Sequence, residues 1–267
     1  MSVQNVEIHD LDDLAPRFAR LRRYNVAMGV LHLLQAAMIF ALSNSFTLPV
    51  QRSYVASAPQ ADTLDVVTRT LADPRIGPMV GVFLLISAIA HLNIASPWGF
   101  QWYCRNLAKG INYARWYEYG LSASLMIVVI AMLTGVYDIA TLILLFALTA
   151  VMNLCGLVME VHNQTTEKTN WTSYIVGCIA GIAPWIAIAV YLVGAGADGD
   201  MPTFVYYIYG SLFVFFFSFA LNMFLQYRRI GPWKDYLFGE WVYVFLSLTA
   251  KSALAWQVFG GTLARTG

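Results

Sequence analysis

Seven stretches of this chain are long and apolar enough to cross a lipid bilayer, and no other feature limits the fold more. A hydrocarbon core about 30 Å thick needs about 20 mostly apolar residues in a helix rising about 1.5 Å per residue. The runs fall at about 24–43, 77–96, 113–136, 139–160, 172–193, 203–227 and 236–262. Turn-forming residues separate them, among them Ser96-Pro97-Trp98-Gly99 and Gly231-Pro232. Composition agrees, because only 12% of the residues are charged and 59% are hydrophobic, where a soluble domain has roughly 25% charged residues. Backbone crossing lipid must satisfy its own hydrogen bonds, so seven apolar runs of this length predict an all-α membrane bundle.

The connections give direction and exclude some partners. Residues 1–23 open with Glu7, Asp10, Asp12 and Asp13 and lack the apolar core of a secretory signal. They are expected to form a retained segment with a short interfacial helix, preceding one seven-helix domain at 24–263. Only the 44–76 connection is long, and the β-branched and aromatic residues of 46–55 predict a hairpin there. Short loops rich in Lys and Arg stay in the cytoplasm. Ten basic residues (Arg17, Arg20, Arg22, Arg23, Arg105, Lys109, Lys168, Arg228, Arg229, Lys234) share the N-terminal side, against Arg52, Arg69, Arg75 and Arg265 opposite. The N-terminus is therefore expected in the cytoplasm and the C-terminus outside, in a cell membrane protein surrounded by lipid. A net charge of +1 without a basic face argues against nucleic acid as a partner. Cys104, Cys155 and Cys178 have no metal-ligand spacing, so no metal is expected.

Two charges stand deep within the runs: Glu118 in the third and Lys251 in the seventh. A charge at the bilayer centre costs about 2.5–3.5 kcal/mol on insertion scales, so such groups normally face the bundle and pair. Lys251 lies about 22 Å along its helix from Tyr236 and Glu118 roughly 9–13 Å along its own, depths that permit a meeting because helical side chains lean toward the N-terminus. Ser247 and Ser122 stand one turn from Lys251 and Glu118 respectively. Arg115 precedes Glu118 by three residues and suits a charge-assisted contact with a carboxylate nearer the cytoplasm. His32, Gln35 and His91 could join these groups around one internal cavity. Blander readings stand beside these. A Lys–Glu pair can be purely structural, membrane serines usually bond their own backbone, and a buried histidine can simply be packed. Glu240 reads as a solvated acid at a helix start or as a transient proton acceptor.

Seven helices with one lysine central in the last and one carboxylate in the third follow the plan of a retinal protein. There a lysine amine condenses with the retinal aldehyde, and the resulting cation needs a counter-ion. Four blocks, Gly29-Val-Leu-His-Leu-Leu-Gln35, Arg115 to Val129, Gly177-Cys-Ile-Ala-Gly-Ile-Ala-Pro-Trp185 and Leu246-Ser-Leu-Thr-Ala-Lys-Ser-Ala-Leu-Ala-Trp-Gln257, closely resemble those of heliorhodopsins, over essentially the whole chain. The resemblance implies a rhodopsin-like bundle with all-trans retinal on Lys251 by a protonated Schiff base. It also implies Glu118 as counter-ion, Ser247 beside the Schiff base, and a polar cavity with His32 and His91. An inside-facing N-terminus, a stranded first extracellular loop and a homodimer follow from it too. Helix spacing and the resemblance together choose Tyr119, Ser122, Met126, Trp185 and Phe216 for the retinal pocket.

Departures from proton-pumping rhodopsins bear on activity. Those resemble one another in carrying a second acid eleven residues after the counter-ion, where this chain has Val129, and an aspartate where it has Ser247. Their helix six carries Trp-x2-Tyr-Pro, replaced here by Phe213-Val-Phe-Phe-Phe217. The expectation is a light sensor, not an enzyme, in which photoisomerisation drives a conformational signal without pumping. Its rivals are a light-driven pump or channel, a light-dependent regulator of a cytoplasmic partner, and a retinal-free structural protein or transporter.

Overall fold

The computed structural model describes residues 11–58, 63–197, 199 and 201–263. The expectations for Glu7, Asp10 and the Arg265 tail lie outside the described residues. Eight α-helices and one hairpin follow in order: α1 (Leu11–Leu42), β1 (Val50–Ala58), β2 (Thr63–Ala72), α2 (Ile76–Ala95), α3 (Pro97–Leu107), α4 (Tyr113–Leu133), α5 (Ile139–His162), α6 (Thr172–Ala197), α7 (Thr203–Tyr227) and α8 (Tyr236–Val258). A π-helical turn, Phe259–Leu263, extends α8. Seven of these helices, all but α3, are long and apolar enough to span a membrane.

Helix starts are written in local chemistry. Ser96 accepts from the Gly99 amide with Pro97 at the first helical position, Asn112 from Arg115, Asp138 from Thr141, and Asp235 from Leu237. Each satisfies a backbone donor that the first turn leaves unpaired. Gly135, with φ of 96°, follows the end of α4 in the left-handed region that favours glycine.

The first helix differs from expectation. α1 begins at Leu11 and runs unbroken into the first span, so no separate interfacial helix exists from Leu11 onward. The reason is burial: Phe18 and Leu21 pack with Tyr103 and Leu107 of α3, Ile94 of α2, and Tyr236 and Leu237 of α8. α3 is an addition to the expected helices, lying between the second and third apolar runs. Its residues Phe100, Tyr103, Cys104 and Leu107 recur at helical spacing and form the inward stripe, while Trp98 is 92% exposed. Together α1 and α3 cover one end of the bundle.

The hairpin closes on the opposite end. β1 and β2 pair antiparallel with Tyr54 opposite Val67 and Arg52 opposite Arg69. The strands therefore start later and extend further than the 46–55 segment predicted, because the alternating Leu64-Asp65-Val66 stretch supplies the second strand. Gln51 donates from its amide to the Tyr137 carbonyl at 2.8 Å, and the Arg75 guanidinium holds the Asn44 carbonyl at 2.7 Å. Both contacts anchor the hairpin to helix ends.

Neighbouring helices pack in the ring α1, α2, α4, α5, α6, α7, α8, with α8 returning to α1; α6 and α7 approach one another least. The half of the bundle toward the hairpin is filled by apolar side chains, including Ile39, Val80, Phe83, Leu84, Val129, Ile130, Leu254 and Val258. The other half holds the buried charges.

Candidate functional site

Lys251 and Glu118 meet at the centre of the bundle. Lys251 Nζ donates to Glu118 Oε1 at 3.1 Å and Oε2 at 3.3 Å, and to Ser247 Oγ at 2.7 Å. The lysine is 3% exposed and the glutamate 8%, so neither charge has solvent to fall back on. The lysine side chain leans back along α8, which brings Ser247, one turn earlier, into its reach. The ammonium also sits 4.9 Å from the centroid of the Tyr119 ring, within cation–π range. Tyr119 is fixed in turn by donating its hydroxyl to the Tyr243 carbonyl at 2.9 Å.

A further partner escaped the sequence. Ser87 Oγ on α2 is 2.6 Å from Glu118 Oε1 and 3.1 Å from the Phe83 carbonyl. The hydroxyl carries one proton, and the nearer acceptor is charged. Ser122, chosen from its spacing to Glu118, is fully buried but makes no hydrogen bond of ordinary geometry with the described residues. The spacing from His91 back to Ser87, one helical turn, was the available signal.

The histidines lie together, with ring centroids of His32 and His91 5.5 Å apart. His91 Nδ1 is 2.7 Å from Asn25 Oδ1. Both nitrogens of His32 are buried without a hydrogen-bond partner among the described residues. Gln35 does not join them. It lies about 60° round the helix from His32, where its side-chain oxygen accepts from Trp256 Nε1 at 3.0 Å.

Arg115 points away from Glu118 and forms buried ion pairs with Glu160 at the end of α5 and Glu240 at the start of α8. Glu240 is fully buried, so its reading as a solvated helix-start acid is corrected: the layer formed by α1 and α3 covers it. Asn112 donates its backbone amide to Glu160 at 2.9 Å and its side-chain amide to Glu240 at 2.7 Å. Trp116 Nε1 donates to Glu160 at 2.6 Å, and the Tyr236 hydroxyl at 3.2 Å. The guanidinium stacks 3.9 Å from the Tyr243 ring centroid and 4.5 Å from that of Trp116. Such a network partners both carboxylates and both terminal nitrogens of Arg115, leaving only its Nε without a hydrogen bond among the described residues. One polar cavity, lined by Asn25, His91, Arg115, Glu118 and Glu240, connects this cluster with the central pair.

On its other side Lys251 borders an apolar cavity with Tyr119, Met126, Phe216, Ser247 and Ala250 in its walls. A second cavity shares Tyr119, Met152 and Phe216 with it and continues between α5, α6 and α7 to Trp185. Trp185 is held edge-on by Phe216, Phe213 and Tyr209, at 5.2, 5.5 and 5.4 Å between centroids. At Gly181 a Cβ would collide with the Met152 side chain, so glycine there lets α5 and α6 close around this slot. Among the described residues no group of His, Cys, Asp and Glu could hold a metal ion.

Lys251 thus stands between an apolar cavity on one side and Glu118, with its polar cavity, on the other. The sequence model of a family described as heliorhodopsin matches residues 21–263. Comparison with curated proteins gives no significant match. The family match takes in most of the first spanning helix and the whole of the other six, together with Lys251 and Glu118, and the chain belongs to the heliorhodopsins, membrane rhodopsins that bind retinal and sense light.

Proposed function

We propose that this protein is a light sensor that carries all-trans retinal on Lys251 as a protonated Schiff base and converts light into a conformational signal without pumping ions. The observation that carries it is the Lys251 amine, 3.1 Å from Glu118 and set in the wall of an apolar cavity. When bound, retinal supplies visible absorption and a double bond that light isomerises. The protein's residues do the rest. Glu118 balances the positive nitrogen, helped by Ser247 and Ser87, while Tyr119, Met126, Trp185 and Phe216 shape the slot that orients the polyene and excludes water.

Two features support sensing over transport. Toward the hairpin the interior is apolar, and Val129, where a second acid would stand in a pump, is completely buried. Polar groups gather instead on the other side, in the cavity of His91, Asn25, Arg115 and Glu240. The fully buried acids of the bundle besides Glu118, Glu160 and Glu240, lie on that side with His91, which favours retention and return of a proton displaced from the Lys251–Glu118 pair. The ten-to-four bias of basic residues supports a cytoplasmic N-terminus, so the polar half and α3 face the cytoplasm. The reading includes a homodimer and a cytoplasmic signalling partner. Patch-clamp recording under illumination tests it: the sensor gives no light-dependent current, and a current would establish transport.

A further inference from the structure

The side-chain amide of Asn25 has its orientation dictated by the helix it stands on. Its nitrogen donates to the Leu21 carbonyl at 2.9 Å, one turn back on α1. A carbonyl only accepts, so the amide cannot be turned round without losing that bond and setting two oxygens against each other. Asn25 Oδ1 therefore faces His91 Nδ1, 2.7 Å away, and Oδ1 is also only an acceptor. At that distance the proton of the contact must belong to the histidine. Asn25 is fully buried, and His91 is 8% exposed, so water competes little for either group.

We propose that Asn25 is a positioning residue that holds the neutral His91 ring with its proton on Nδ1, leaving Nε2 as the atom that takes up a proton released at the Lys251–Glu118 pair. The role of Nε2 rests on the light-sensing reading; the tautomer does not. The neutral imidazole has one donor and one acceptor nitrogen, and the hydrogen bond made by one decides what the other can do. His91 shares its cavity with Glu118, Arg115 and Glu240, and His32 stands beside it. With Nδ1 already anchored, uptake forms one N–H bond at Nε2 and breaks one at the donor, with no exchange of tautomers. The imidazolium so formed still donates to Asn25 and is stabilised by it.

Nitrogen-15 NMR of the histidine-labelled full chain in lipid bilayers reads the tautomer directly. Comparison with His91→Gln assigns the signal, and if that variant fails to fold, removing the other three histidines singly assigns it by elimination. In the dark, His91 should carry its proton on Nδ1. Asn25→Leu should allow the Nε2-protonated form, while Asn25→Asp, which keeps an acceptor, should retain Nδ1–H. A wild-type ring protonated on Nε2, or one unchanged by Asn25→Leu, would overturn the assignment. Under illumination His91 should become doubly protonated, and Asn25→Leu should slow Schiff-base deprotonation roughly tenfold, a small part of what proton-transfer groups contribute. A ring that stays neutral in the light overturns the role of Nε2. A protein without a visible band whose His91 still carries its proton on Nδ1 supports the tautomer and sinks the retinal reading.

Discussion

Arg115 of α4 is ion-paired with Glu240 of α8, the same two helices that Glu118 and Lys251 join one level deeper. The backbones of α4 and α8 do not lie side by side in the ring, so long charged side chains tie them across the interior at two heights. The second of these links lies beside the covered end of the bundle.

Removing Arg115 should be far more damaging than removing the charge on Glu240. Arg115→Met leaves two carboxylates buried without their cation, and breaking buried pairs in this way costs about 3–5 kcal/mol. Glu240→Gln retains an oxygen that can accept from Arg115 and should cost on the order of 1 kcal/mol. Thermal unfolding of the purified protein ranks the two, and equal losses would show that the cluster is not held by Arg115.

Hydropathy alone made the seven helices and the Lys251–Glu118 pairing legible, because a bilayer admits few structures and an isolated deep charge needs a partner. Glu160 and Glu240 were not legible as buried. Both lie at helix ends, where a linear reading assigns solvent, and what covers Glu240 is α3 together with the start of α1. α3 is too short to register as a span, and its inward stripe of Tyr103 and Leu107 becomes meaningful only once Phe18 and Tyr236 are seen to meet it. Ser87 was missed although it stands one helical turn from His91, and Asn25 because a single polar residue in a helix carries no sign of what it faces. Arg115 was legible as a residue needing a carboxylate but not as to which one.

Gly156 keeps Trp116 in place. A Cβ there would collide with the indole ring, which donates to Glu160 at 2.6 Å. Gly156→Ala should lower stability by about 1–3 kcal/mol through overpacking, seen as a lower midpoint of thermal unfolding. Gly210, where a Cβ has open space, provides the control, and Gly210→Ala should leave the midpoint nearly unchanged.

Asp138 couples the start of α5 to acid stability. The Thr141 amide donates to it at 2.9 Å and holds its carboxyl below the usual carboxylate value of 3.8, assisted by the Thr141 hydroxyl. A carboxyl depressed by folding contributes stability above its unfolded value, and that contribution disappears as pH falls through the lower folded one. Asp138→Ala should therefore cost about 1 kcal/mol as a lost cap at neutral pH. The difference from wild type should shrink below about pH 4, and unfolding followed from pH 7 to 3 measures it. A difference that is constant over this range would remove Asp138 from that role.

Neutralising Glu118 should shift the spectrum and the titration together. Glu118→Gln withdraws the charge beside the nitrogen, so the band should move to longer wavelength and the Schiff base should lose its proton at lower pH than in wild type. Absorption spectra recorded across a pH series test this. An unchanged band and an unchanged bleaching pH would remove Glu118 as counter-ion.

The visible absorption spectrum of wild type and Lys251→Ala, each supplied with all-trans retinal, bears most directly on the function proposed for this chain. The wild type should form a visible band that hydroxylamine or acid denaturation traces to a retinal–lysine linkage, and Lys251→Ala should form none. A visible band that survives in Lys251→Ala, or its absence from a folded wild-type protein, would contradict the assignment of retinal to Lys251.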